Sequence, residues 1–275
     1  MTLFPRGVVF VAFVAFVAFV TSACGFDHRS EGYACTAPSD CMPGRTCDQG
    51  WCVDTTGDGG VPDGAPVTGD GGGPDAAIGA TVVVLGETPD ADVSGVTADS
   101  WLNSSASTLN YGGDDVIRLD RIPDQNGLLR FDLTSIPAGT EVVAVALRMW
   151  TESGFGNDGV VQLYPVIEAW DEGDLDGAAG AASWNERVAG VQWLGHGATG
   201  ASRSPTLSDD APARLDGVEL VFSIPAAVVQ GWIDDPASNN GWVLVPFDTS
   251  NDAATLVSSE SPVQDHRPRL IVTHF

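Results

Sequence analysis

Five rings and one guanidinium in this chain have the right chemistry to hold a sugar. Tyr111, Trp150, Trp170, Trp184 and Trp193 offer flat apolar faces that can cover the C–H side of a pyranose. Arg148 adds a planar fork of hydrogen-bond donors. The same rings bury large areas in β-sheet cores, so each has a packing alternative. A second constellation is acidic. In Glu172-Gly173-Asp174-Leu175-Asp176-Gly177, carboxylates stand at positions 1, 3 and 5 and glycine at 6, as in a calcium loop. The twelfth position is Ser183 where such a loop needs a bidentate glutamate. What remains is a possible calcium site in which Glu172, Asp174 and Asp176 join other loops; no cofactor is required.

Catalytic chemistry is undersupplied. His28, His196, His266 and His274 are the only histidines, and none belongs to a nucleophile or metal motif. No GxSxG, HExxH or glycine-rich phosphate loop occurs. The chain therefore reads as a binding protein and not an enzyme. A polysaccharide-degrading enzyme remains an alternative, and a structural or adhesive surface protein that contacts other proteins is another.

Charge narrows the ligand. The 275 residues carry a formal charge of −25. Residues 80–275 hold 9 arginines, no lysine and 28 Asp plus Glu, which gives −19. Such a surface repels nucleic acid and polyanionic glycans unless arginines cluster or a cation bridges. The partner expected is a polysaccharide, either neutral or acidic and calcium-bridged. The absence of lysine argues against a basic patch for a membrane surface.

These side chains must be positioned by strands. In Leu128 to Leu133, Leu129, Phe131 and Leu133 share one face while Arg130 and Asp132 share the other. Val145, Leu147 and Met149 alternate with Ala146, Arg148 and Trp150, so Trp150 belongs to the polar face of its strand. Further period-two runs cover 81–85, 100–103, 116–120, 160–167, 218–223, 241–247, 255–259 and 269–274, with turn residues between them. Only Pro225 to Asp234 has a helical pattern. The fold class predicted for 80–275 is all-β, an antiparallel jelly-roll β-sandwich. Arg130 is expected to pair with Asp132 or a neighbouring carboxylate; Glu260, Arg267 and Arg269 are likewise expected to be structural.

The N-terminal part serves another purpose. Arg6 and the thirteen apolar residues Val8 to Val20 precede Thr21-Ser22-Ala23-Cys24, a charged start, apolar core and small-residue cut site that describe a signal peptide over 1–23. Thirteen helical residues span only ~20 Å, too short to cross a bilayer. Ser22-Ala23-Cys24 resembles the end of a lipobox, although Thr21 departs from its usual leucine or valine. Lipidation of Cys24 would consume the odd thiol and hold the protein at the outer membrane or cell surface, its only membrane contact; cleavage with secretion is the alternative. Within 24–52, Cys35, Cys41, Cys47 and Cys52 form a module too small for a core, so disulfides are expected to staple it. Three pairings are possible, and Cys35–Cys47 with Cys41–Cys52 is the favoured one. The module is similar to short four-cysteine modules of exported Gram-negative proteins. Residues 53–79, rich in Gly, Asp and Pro, read as a disordered linker of ~30 Å.

One series of motifs spans nearly all of 90–275. It runs Ala98-Asp99-Ser100-Trp101, Asn110-Tyr111-Gly112, LLRFDLTSIPAGT at 128–140 and the strand VVAVALRMW. Trp170-Asp171-Glu172, Ala182-Ser183-Trp184-Asn185, Val229-Gln230-Gly231-Trp232 and Asn240-Gly241-Trp242 follow. Ser259-Glu260 and Arg267-Pro268-Arg269-Leu270 close it. In order and spacing it resembles the DNRLRE domain, a relative of jelly-roll carbohydrate-binding modules, some of which bind alginate. The resemblance implies a sandwich that binds polysaccharide without cleaving it, and Trp170 and Trp184 stand at motif positions. Asn126-Gly127 departs from the basic or hydroxyl residue common at that turn. The charge of this chain disfavours alginate itself.

Overall fold

The computed structural model describes residues 79–95, 97–156, 159–247 and 253–275, and the backbone of two short strands at 45–48 and 51–54. The leader, Cys24, Cys35, Cys41 and linker residues 55–78 lie outside the described residues. The two N-terminal strands, β1 (Arg45–Asp48) and β2 (Trp51–Asp54), pair antiparallel with Cys47 opposite Cys52. The pairing expected for the four cysteines involves residues outside this ribbon.

The C-terminal domain is all-β and antiparallel, as its alternation predicts. Its strands are β3 (Thr81–Gly86), β4 (Thr97–Asn103), β5 (Val116–Arg121), β6 (Asp124–Phe131), β7 (Val142–Ser153) and β8 (Val160–Pro165). A short ribbon follows, β9 (Glu186–Val188) with β10 (Val191–Gln192), then β11 (Asp209–Pro212) and β12 (Glu219–Ile224). The helix α1 (Ala226–Asp234) leads into β13 (Trp242–Phe247), β14 (Ala254–Val257) and β15 (Arg269–His274).

One continuous sheet curls over to make both layers of the jelly-roll sandwich. One layer runs β11-β8-β13-β6, with β4 beside β6. The other runs β12-β7-β15-β3. β5 and β14 join them, because β14 pairs with both β5 and the far half of β7. Alternation explains the closure. Leu129, Phe131, Trp242, Leu244, Val161 and Leu163 from the first layer meet Val145, Leu147, Met149, Phe222, Leu270 and Val272 from the second, all buried in one core. Burying a side chain of this size contributes ~1.5–3 kcal/mol, so the inward face of each strand decides its register.

The first layer is covered on its outer face as well. Leu102, Leu128 and Val243 point away from the main core and are fully buried against Val166, Trp170, Ala182, Trp193 and Ala198. The long excursion from β8 to β11 thus lays a second core over the sheet. Two buried asparagines moor it. The Asn110 amide donates to the carbonyls of Glu172 (2.6 Å) and Ala182 (2.8 Å), and the Asn126 amide donates to the Gly197 carbonyl (2.8 Å).

Arg130 lies near the neighbouring carboxylate Glu172, whose raised pKa it partly offsets, and it also meets an aromatic ring. Its guanidinium lies 5.0 Å from the Trp170 ring centre and donates to the Trp170 carbonyl, while Asp132 accepts from the backbone N–H of Thr134. The second core puts an aromatic ring within reach of Arg130, and the planar cation stacks on it. Arg267 donates to the Ser261 carbonyl, and Arg269 bridges Asp90 and Glu219, as structural roles require.

Candidate functional site

The six expected sugar-contact residues do not form one strip. Trp170 is 2 % exposed, and its indole N–H donates to the Asn240 carbonyl at 2.8 Å. Trp193 is 4 % exposed, and its N–H donates to the Ser183 carbonyl at 2.9 Å. Both rings are spent on the second core, which removes them from ligand contact. Tyr111 stacks on Trp101 at 3.8 Å and packs against the main core. Trp150 and Arg148 share an outer face on the other layer, where Arg148 donates to Glu219 at 2.9 Å.

Trp184 alone among the six lines a cleft on the outer face of the first layer. Its other walls come from four strands: Arg121 from β5, Asp124 and Asn126 from β6, Gln162 from β8, and Val245, Pro246 and Phe247 from β13. Thr199 comes from the excursion, and the volume is about 300 Å³. The positions follow from register. Gln162 opposes Val245 across β8 and β13, and Arg121 opposes Asp124 across the hairpin turn at Ile122-Pro123. Phe247 is 52 % exposed, a large apolar side chain left at the cleft mouth.

The Trp184 ring is held from behind. Gly197 sits against it in the left-handed region (φ +68°), and a Cβ there would lie 2.5 Å from the ring. The N–H of Gly197 donates to the Trp184 carbonyl, and its own carbonyl accepts from Asn126. Behind the lining residue Gln162, the Tyr164 hydroxyl donates to its side chain, and the Arg203 guanidinium lies 3.6 Å from the Tyr164 ring centre. Burial lowers the pKa of Arg203 from its ordinary value. The cleft therefore offers two apolar aromatic walls with donors and acceptors of both charges between them. That set can bind a ring carrying hydroxyls.

The acidic loop is dispersed. Glu172 Oε1 accepts the backbone N–H of Asp99 at 2.6 Å, and Glu87 Oε1 accepts that of Thr97, so two carboxylates seal the open edge of β4. Burial, above all, pushes Glu172 up to about 7, with Glu260 and Glu87 adding to it. Burial likewise raises Asp99 well above the ordinary range, helped by Glu260. Asp174 and Asp176 are exposed; burial raises the carboxyl of Asp114, and nearby Asp176 adds to it. Among the described residues no group of three or more His, Cys, Asp or Glu is placed to hold a metal ion. Glu172, Asp174 and Asp176 do not converge.

Sequence reasoning missed Arg121, Asp124, Gln162, Thr199 and Phe247. Apart from the hairpin pair Arg121 and Asp124, they are far apart in the chain, and strand order brings them together. Compared with known proteins, the chain matches no family model and no curated protein.

Proposed function

We propose that this domain is a non-catalytic glycan-binding module, of DNRLRE type, displayed at the cell surface on the lipid-anchored Cys24 stem. One observation carries the reading: the cleft between Trp184 and Phe247, with Arg121, Asp124, Gln162 and Thr199 around it. Aromatic faces take the C–H side of a sugar ring, and the polar groups take its hydroxyls. The cleft pairs one cation with one anion inside a domain of −19, which favours a neutral polysaccharide over a polyanion. An acidic polysaccharide would need calcium to screen that charge.

The test is retention on insoluble neutral polysaccharides and on a glycan array, with folding checked by circular dichroism. Wild type should be retained on at least one glycan. Phe247→Ala, an exposed change that leaves both cores intact, should weaken retention at least fivefold, and Trp184→Ala more. No retention by folded protein, or retention unchanged in both variants, overturns the proposal.

A further inference from the structure

The opposite layer carries a second cleft with different chemistry. Trp150 stands on the outer face of β7, and the turn before β15 lays His266 flat upon it. The ring centres are 3.9 Å apart and the planes 6° from parallel. Beside this stack is a cleft of about 300 Å³ whose walls include Asp115, Glu152, Ser261 and Val263. Asp115 and Glu152 are both exposed.

The charges around it are arranged unequally. Arg148 and Arg269 sit side by side in the same layer, and both are bound to Glu219; Arg269 also reaches Asp90. Their positive charge is thus taken up on the flank, and no arginine lines the cleft. The chain has no lysine to fill it from within. What the cleft presents is an indole–imidazole stack with two carboxylates, on a domain whose net charge of −19 concentrates cations and repels anions.

We propose that the Trp150 cleft binds an organic cation, the guanidinium or alkylammonium of a basic polypeptide segment. The part of Trp150 that lines the cleft offers the cation its π system, and Asp115 and Glu152 accept its N–H groups. This site lies on the layer opposite the Trp184 cleft, so a protein partner and a glycan could be held together.

The test is titration of the intact mature protein with acetyl-tetra-arginine amide, followed by calorimetry at low and physiological salt. Its neutral isostere acetyl-tetra-citrulline amide and spermine serve as comparison arms. The arginine peptide should bind at least tenfold more tightly than the citrulline peptide. Trp150→Ala should weaken it at least fivefold, Trp150→Phe less, and the exposed double variant Asp115→Asn/Glu152→Gln should weaken it without changing the melting temperature. Phe247→Ala should leave it unchanged. Equal binding of the citrulline peptide, indifference to both Trp150→Ala and the double variant, or no binding at all would overturn the proposal. Preference for spermine over the arginine peptide would overturn the polypeptide assignment.

Discussion

Glu172 and Asp99 are bound through a carboxylate and a backbone amide, 2.6 Å apart, at the unpaired edge of β4. The contact ties the acidic loop of the excursion to the sandwich. It also buries two carboxyls that would be ionised in water. Both are raised, Glu172 to about 7. A raised carboxyl favours the protonated fold. Its stabilisation is complete below about pH 4.5 and lost as pH rises through about 7. Melting temperature should therefore fall between pH 5.5 and pH 8. Glu172→Gln, which keeps the acceptor but not the charge, should remove about 1–2 kcal/mol of that pH dependence after allowance for solvent screening. Calorimetry across this range at constant ionic strength checks it; an unchanged slope in the variant would contradict it.

Gly197→Ala should disturb the glycan cleft without touching a ligand. The new Cβ would press on the Trp184 ring from 2.5 Å, in a backbone region that alanine avoids. A loss of about 2–3 kcal/mol is expected from the two effects together. A shift in tryptophan emission and weaker glycan retention should accompany it. Urea unfolding and fluorescence read these directly.

Trp170 and Trp150 should separate cleanly in stability. Trp170→Ala empties the second core and orphans the Asn240 carbonyl, at a cost of about 3–5 kcal/mol. Trp150→Ala removes a partly exposed ring and should cost about 1 kcal/mol. The order of their urea midpoints decides it.

The missing lysines make the proposed Cys24 anchor easy to assay. All 12 basic residues counted as Lys or Arg are arginine, so a protein cut before Cys24 has one primary amine, its N-terminus. An amine-reactive dye should label a secreted or diacylated form once and a triacylated form not at all. Phase partition with a detergent that clouds on warming then distinguishes secretion from diacylation. Cys24→Ser should move the protein to the aqueous phase.

Much of the fold is legible in the sequence, because period two reports directly which side of a strand meets the core. Leu129, Phe131, Val145, Leu147 and Met149 all lie where their alternation puts them, and α1 occupies the one helical stretch. Adjacent Leu128 and Leu129 are a further signal: a strand with apolar residues on both faces has both faces covered. Charge and the absence of lysine also belong to the sequence alone, as does the export signal we propose.

The proposed glycan-binding surface does not. Alternation says which face Trp150 takes, but Trp170, Trp184 and Trp193 lie in irregular chain where no period applies. Their fates depend on how residues 166–206 fold across β4, β6 and β13, which buries two rings and leaves the third beside an open cleft. The cleft walls run from Arg121 to Phe247, brought together by strand order and register. Short-range pattern determined which side chains are apolar and inward; only the long-range pairing of strands decided which aromatic faces remain in water.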